Sequence, residues 1–296
     1  VLVRELGVSV FRLAALFHLA AQDLAQLTVR TNTEVTEVTR DGEGWSIKAE
    51  GPDGSTTERF TYLINACGYR SGQIDDIVGV QRPRLIEFKA AYLAHWPEAE
   101  GTWPEMVFHG QRGTEHGMVQ VTPYADNTFQ LHGMSEGISL FEGGLAASHG
   151  QSSMPELPPA LQSKLDHGWP PGEIERRTRR AIEHAAVFIP AFAKAQVAGP
   201  PLYGAQQIPG ADVTLRTSSA SFAGTNYART EIVKFSSALP AAEEIAGDLA
   251  RRGLLPANAP SPSRQLQSTP RLCQSEVISL AERLAVHRAY PAVLAH

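Results

Sequence analysis

The sequence predicts an α/β protein of two units, and three observations predict it. A nearly all-apolar run, Tyr62-Leu63-Ile64-Asn65-Ala66, stops at Gly68 and reads as a central parallel strand buried on both faces. Before it come a helix-periodic segment and several short strands punctuated by Gly and Pro. After it, from about Pro83 to Gly133, lies a second strand-rich block, and strong helical periodicity returns only near Glu173.

The first helix is expected from about Ser9 to Leu27, with Ser9 as N-cap and Leu13, Leu16, Phe17, Ala20, Leu24 and Leu27 on the core face. Leu27–Thr31 reads as a short strand and Glu34–Arg40 as another. Asp41-Gly42 marks a hairpin into Trp45–Ala49, and Pro52-Asp53-Gly54 marks the turn back through Glu58–Phe60. In the second block the candidate strands are Arg84–His95, Met106–His109, Met118–Thr122 and Thr128–His132. Gly143–Pro171 shows little periodicity. Glu173–Ile189 is amphipathic, with Ile174, Thr178, Ala181, Ala185 and Phe188 inward and Arg176, Arg177, Arg179 and Arg180 mainly solvated. Val213–Arg216 and Ser219–Ala223 are candidate short strands before a helix marked by Phe235, Leu239, Ala242, Ile245 and Leu249, which Gly253 ends. Pro256–Pro270 reads as a linker and Ser275–Arg288 as a last amphipathic helix, packed on its own domain or on a second subunit.

Composition narrows the function. The 296 residues carry 26 Lys plus Arg against 31 Asp plus Glu, a net charge of −5, which argues against a binder of nucleic-acid backbones. Hydrophobic content of 43% and charged content of 19% suit a folded core. Cys67 and Cys273 are too few for a disulfide framework, so a cytoplasmic setting fits best. No run approaches the roughly 18 apolar residues of a membrane span, and no secretory signal is visible. Walker A, His-Glu-x-x-His and Gly-x-Ser-x-Gly motifs are absent. His95, His109, His116 and His132 share the strand-rich block, but their spacing matches no short ligand pair, so no metal is expected. Cys67 reads as a small hydrophobe rather than a nucleophile.

The order of parts carries more. A helix presenting Val10-Phe11-Arg12-Leu13, a Thr33-Glu34-Val35 turn, a three-stranded meander and a strand ending Asn65-Ala66-Cys67-Gly68 follow one another. Over Val8 to about Arg252 this arrangement resembles the FAD-dependent oxidoreductases of the D-amino-acid oxidase and glycine oxidase type. The resemblance implies an α/β fold: an incomplete FAD-binding Rossmann-like domain with a β-meander, plus a mixed-sheet α+β substrate domain. It divides the chain into a first cofactor segment (1–82), a substrate domain (83–200), a second cofactor segment (201–255), a linker (256–270) and a helical extension (271–296).

For the site, the resemblance implies that the Val35 backbone meets adenine, and that Ala66 and Gly68 lie by the pyrophosphate or ribose, where a missing or small side chain allows close approach. It puts the loop Gly224–Arg229, with Asn226, Tyr227 and Ala228, at or just before the N-terminus of the Phe235–Leu249 helix, beside the negative edge of a reduced flavin. An ordinary turn is the alternative for both glycines. The implied reaction is oxidation of a C–N or C–O bond by hydride transfer to FAD, in which the protein mainly orients a small, carboxylate-bearing substrate. Arg84, Arg112 or Arg229 could clamp the carboxylate and Tyr92 or Tyr227 add a hydroxyl, though each could equally be structural.

The departure from the pattern is the front end. The strand, Gly-x-Gly-x-x-Gly turn and acidic strand end of that family are not found, and Gly42-Glu43-Gly44 sits in a hairpin with Ile47 where a third glycine should be. With Val1 as first residue, a truncated product or a misplaced start is expected. The alternative to an enzyme is a non-catalytic binding or assembly module pairing through an open sheet edge, with another chain or a second copy as partner.

Overall fold

One twelve-residue strand, β5 (Arg84–His95), organises the larger part of the computed structural model. The structure describes residues 8–111, 114, 117–135, 137–214, 220–230, 234–256, 258–264 and 272–296. Ten of β5's twelve positions are buried, because its two faces meet different partners. On one face Ile86, Phe88, Ala90, Tyr92 and Ala94, two residues apart, enter the main core. The C-terminal half of β5 pairs antiparallel with β8 (Thr128–Gly133), which leads to β7 (Val119–Pro123) and β6 (Met106–Phe108). These four strands match the sequence expectation to within a residue or two at their ends.

The N-terminal half of β5 pairs with two strands that the sequence did not suggest. One is β9 (Leu145–Ala147). The other is a later strand over Leu202–Pro209, in register along eight positions of β5. The sheet of the central block therefore continues past residue 200. Helix α3 (Pro159–His167) occupies part of the stretch read as aperiodic. Helix α4 (Pro171–Phe188) lays Thr178, Ala181, Ile182 and Ala185 on the core. Arg177 departs from the solvated face expected for it. It is buried, donating from Nε to the Tyr92 hydroxyl (2.8 Å) and from Nη2 to the Ile138 carbonyl (2.6 Å), with its guanidinium over the Phe141 ring. A buried charge needs such partners, and these supply them.

The smaller part begins with the expected meander: β1 (Glu34–Asp41), β2 (Gly44–Gly51) and β3 (Gly54–Phe60), antiparallel in chain order. A second small sheet joins β4 (Leu63–Asn65) to two late strands, and α2 (Ser71–Ile77) follows β4. In the central block's sheet, the short β10 (Gln196–Val197) and then β11 (the Leu202–Pro209 strand) flank β5. The late strands are β12 (Ala220–Phe222) and β13 (Tyr227–Thr230), followed by α5 (Ala238–Arg251). The sheet order is β12-β13-β4, with β13 and β4 parallel. Val38, Trp45 and Tyr227, with Leu63 and Ile74, form its core against the meander.

Several expectations fail here for identifiable reasons. The β4 strand is not buried on both faces: among the described residues it pairs on one edge only, and Ile64 is 45% exposed. Leu27–Thr31 is not a strand, because nothing pairs with it among the described residues. Val213 and Thr214 lie in a turn, while the rest of that expected strand and Ser219 fall outside the described residues, as does much of the expected linker.

Helix α1 (Val10–Gln22) has its Ser9 cap, whose hydroxyl accepts from the Arg12 amide, but is shorter than expected. It buries Phe11 and Ala15, whereas Leu16 and Phe17 are exposed. Its partner explains the rotated face. The last helix, α6 (Gln274–His287), packs Val277, Ala281 and Ala285 against Phe11, Ala15 and Leu93 of β5. Small alanines at the contact allow close approach of the two helices. The extension is thus tied to the N-terminal helix and to the large sheet, and Tyr290 fastens it through a hydrogen bond to the Pro201 carbonyl.

Candidate functional site

Parallel strands point their carboxyl ends the same way, and in open α/β sheets ligands bind beyond those ends. Here the parallel pair is β4 and β13, and a cleft of about 570 Å³ opens beside them. Ala66 and Gly68 line it after β4, Thr230 lines it at the end of β13, and Gln207 of β11 adds an amide. The long wall is α5, through Ala238, Ala242, Ile245, Ala246 and Leu249, and Ile64 forms the opposite edge. Alanines set four to eight residues apart leave a smooth apolar wall. Gly68 has φ +58°, and a side chain there would meet no atom within 4 Å, so its open side is available to a ligand. Ala66 and Gly68 are therefore brought to one cleft with α5, whose first turn includes Ala238.

The loop Gly224–Asn226 lies elsewhere, and this corrects the expectation that it sits at the N-terminus of the helix. Parallel pairing puts the residues before β13 beside those before β4, at the amino ends of the strands. Gly224 (φ +57°) faces Arg40 of the meander, where an added Cβ would stand 3.2 Å from a guanidinium nitrogen. Asn226 fastens this end. Its carbonyl accepts from Trp45 Nε1 (2.7 Å), its amide donates to the Glu43 carbonyl (2.9 Å), and its Oδ1 accepts from Arg252, just beyond the C-terminus of α5. Arg40 stacks on Trp45 at 3.7 Å. Tyr227 and Ala228 are interior residues of β13. The chain that does reach the start of α5 is the segment after Thr230, of which 231–233 lie outside the described residues.

A buried ionic cluster, anchored by a residue the sequence did not single out, occupies the junction of the two parts. Asp75 of α2 is fully enclosed. Its carboxylate accepts from Arg84 Nη2 (3.4 Å), from Arg229 Nη1 and from the Tyr227 hydroxyl, and Asn65 Nδ2 lies at 3.5 Å. Burial, with the neighbouring Asp75 carboxylate, raises the Tyr227 phenol above its usual range. Arg84 Nη1 donates to Gln207 Oε1 (2.6 Å), and Gln207 Nε2 donates to the Thr230 carbonyl (3.3 Å). Two expected substrate clamps, Arg84 and Arg229, thus converge, but on Asp75: a carboxylate of the chain takes the place expected of a substrate's. Tyr92 is enclosed in the large core, accepting from Arg177 and donating to the Ile138 carbonyl, which uses its hydroxyl. Arg112 and His116 lie outside the described residues.

Asp75 escaped the sequence reading because a seven-residue helix shows no legible period, and Gln207 because β11 alternates weakly. Val35 is exposed at the start of β1, paired with Ala49, beside a polar cleft formed by Asn32, Thr33, Glu34, Glu50, Gly51 and Arg70. Cys67 is exposed next to the cleft residues rather than filling a core, and partial desolvation pushes its thiol up. Among the described residues no three His, Cys, Asp or Glu side chains are grouped to hold a metal ion, and no helix is long and apolar enough to cross a membrane.

No family model matches the chain, and no curated protein sequence matches it. Solved structures do. NikD, an unusual amino acid oxidase essential for nikkomycin biosynthesis, aligns at 15% identity over 76% of this chain and 52% of its own, with TM-score 0.50. Glycine oxidase from Geobacillus kaustophilus aligns at 12% identity over 68% and 43%, with TM-score 0.40. A flavoprotein/dehydrogenase from Cytophaga hutchinsonii aligns at 12% identity over 67% and 40%, with TM-score 0.38. The chain spans roughly half or less of the length of each. The NikD likeness shows a shared fold.

Proposed function

We propose that the protein is an FAD-dependent oxidoreductase, or the greater part of the flavin-binding and substrate units of one, acting on a C–N or C–O bond of a small carboxylate-bearing substrate. One observation carries the reading: Ala66 and Gly68 at the end of β4, Thr230 at the end of the parallel β13 and one side of α5 from Ala238 to Leu249 line one largely apolar cleft. The residues fit the cofactor's ring. The alanine wall suits a planar heterocycle, Gly68 leaves room for close backbone approach, and the N-terminal end of a fourteen-residue helix favours negative charge. The polar cleft beside Val35 suits the nucleoside end.

Bound flavin supplies a two-electron acceptor for a substrate hydride. What the chain supplies is position. The Trp45–Asn226 and Arg40–Trp45 contacts hold the meander to β13, and the Asp75 cluster holds α2, β5 and β13 in one arrangement. Arg84 and Arg229, two of the residues expected to clamp a substrate carboxylate, are directed at Asp75 instead.

A second reading, a module that pairs through its sheet edge, is favoured by the edge of β4 that is unpaired among the described residues, with its exposed Ile64. The purified protein separates the two. Stoichiometric FAD, seen in the visible spectrum and recovered on denaturation, supports the enzyme; a colourless protein that takes up no added FAD and is held in a complex through β4 supports the module.

A further inference from the structure

The cleft wall is largely apolar, with Gln207 and Thr230 as its polar side chains among the described residues, and the surrounding hydrogen bonds dictate which end of the Gln207 amide is offered. Gln207 is 3% exposed in β11, with Pro209 of the same strand in register with Arg84 of β5. A guanidinium only donates, so the partner of Arg84 Nη1 at 2.6 Å must be the amide oxygen. Arg84 in turn is held by Asp75, which Tyr227 also contacts. With Oε1 committed to Arg84, the amide nitrogen turns to Thr230, itself a wall of the cleft, whose carbonyl accepts one of its two N–H groups at 3.3 Å. One N–H remains. An amide that could rotate would offer donor or acceptor alike; this one is locked as a donor.

We infer that Gln207 is a recognition residue of the cleft, donating its second amide N–H to a hydrogen-bond acceptor on the edge of the bound ring, and that Asp75 and Arg84 are the positioning residues that fix its orientation. The inference rests on the flavin reading above, in which the acceptor is a carbonyl oxygen or ring nitrogen of the isoalloxazine. It goes beyond that reading by assigning specificity: ring systems of the same size with a donor at that edge are rejected, because two donors would face each other in an apolar site.

The informative substitution is Gln207→Glu. It keeps an acceptor for Arg84 and removes the amide donor, including the N–H that the Thr230 carbonyl accepts. Gln207→Met removes the donor without adding charge. FAD binding is titrated by fluorescence quenching for the wild-type protein and both variants, with circular dichroism confirming the fold and the flavin absorption envelope recorded at saturation. Both variants are expected to bind FAD about tenfold more weakly or worse, with a shifted envelope, because the ring edge has lost a donor. Wild-type affinity and an unshifted envelope in Gln207→Glu would overturn the inference while leaving the flavin reading intact. Weaker binding with an unshifted envelope would also overturn it, since that is a packing effect. Failure of the wild-type protein to bind FAD at all would overturn both.

Discussion

Asp75 makes no contact with the cleft, yet it decides how the cleft is lined. Its carboxylate is the anion for two enclosed guanidinium groups, and one of these orients Gln207. Removing one partner from a buried ion pair costs far more than the pair itself contributes, because the remaining charge is left in a poorly polarisable interior. Asp75→Asn keeps the volume and loses the charge, so it is expected to destabilise the protein by about 3–5 kcal/mol. Urea unfolding followed by tryptophan fluorescence measures this. A loss under about 1 kcal/mol would mean that water reaches the cluster and screens it. Arg177 shows the same logic in the large core, where Tyr92 and the Ile138 carbonyl replace the solvent its charge would otherwise need.

At the scale of elements, α5 is moored at its C-terminal end. One side of the helix lines the cleft from Ala238 to Leu249, and its last turn presents Asp248, which accepts from the Tyr62 hydroxyl (2.8 Å) and from Arg252 (2.7 Å). Burial works to raise the Asp248 carboxyl, but the hydrogen bonds from Arg252 and Tyr62 outweigh it and hold the group below the ordinary carboxylate value. A carboxyl depressed in the folded state stabilises fully above its unfolded value, about 3.9, and that contribution is lost as pH falls through the folded value. Stability of wild-type protein should therefore drop more steeply below about pH 4 than that of Asp248→Asn, and urea midpoints across the acid range test it; parallel curves would refute the mooring. What the sequence shows of such elements depends on length and on direction. Arg84–His95 is legible because twelve residues of apolar, strand-forming type leave little choice. The helices over 71–77 and 159–167 are not, because two turns hold too few positions to display a period. Gly224 was expected beside the helix N-terminus because Gly224–Arg229 reads as one loop; its second half instead forms the strand β13, which carries the chain away from Gly224 before α5 begins. The rotated face of α1 has a tertiary origin, since its partner α6 lies more than 250 residues away.

On the scale of the whole molecule, the cleft draws on both parts of the structure: Ile64, Ala66, Gly68, Thr230 and α5 from the small sheets, and Gln207 from the large one. A ligand held there binds only when both parts are folded and docked, so its binding free energy adds to the stability of each and to their coupling. At a free concentration one hundred times its dissociation constant, FAD should stabilise the native state by about 2.7 kcal/mol. For a chain of this size that raises the melting temperature on the order of 5 °C. Ala246→Trp sets a large ring against the α5 wall without touching the Asp75 cluster, and it should abolish the shift while leaving the unliganded melt within about 1–3 kcal/mol of wild type. Scanning calorimetry with and without FAD reads both quantities. If FAD raised the melting temperature of Ala246→Trp as much as that of the wild-type protein, the cofactor would be bound somewhere other than the space between β4, β13 and α5, and the parallel strand ends would have lost their claim to be the site.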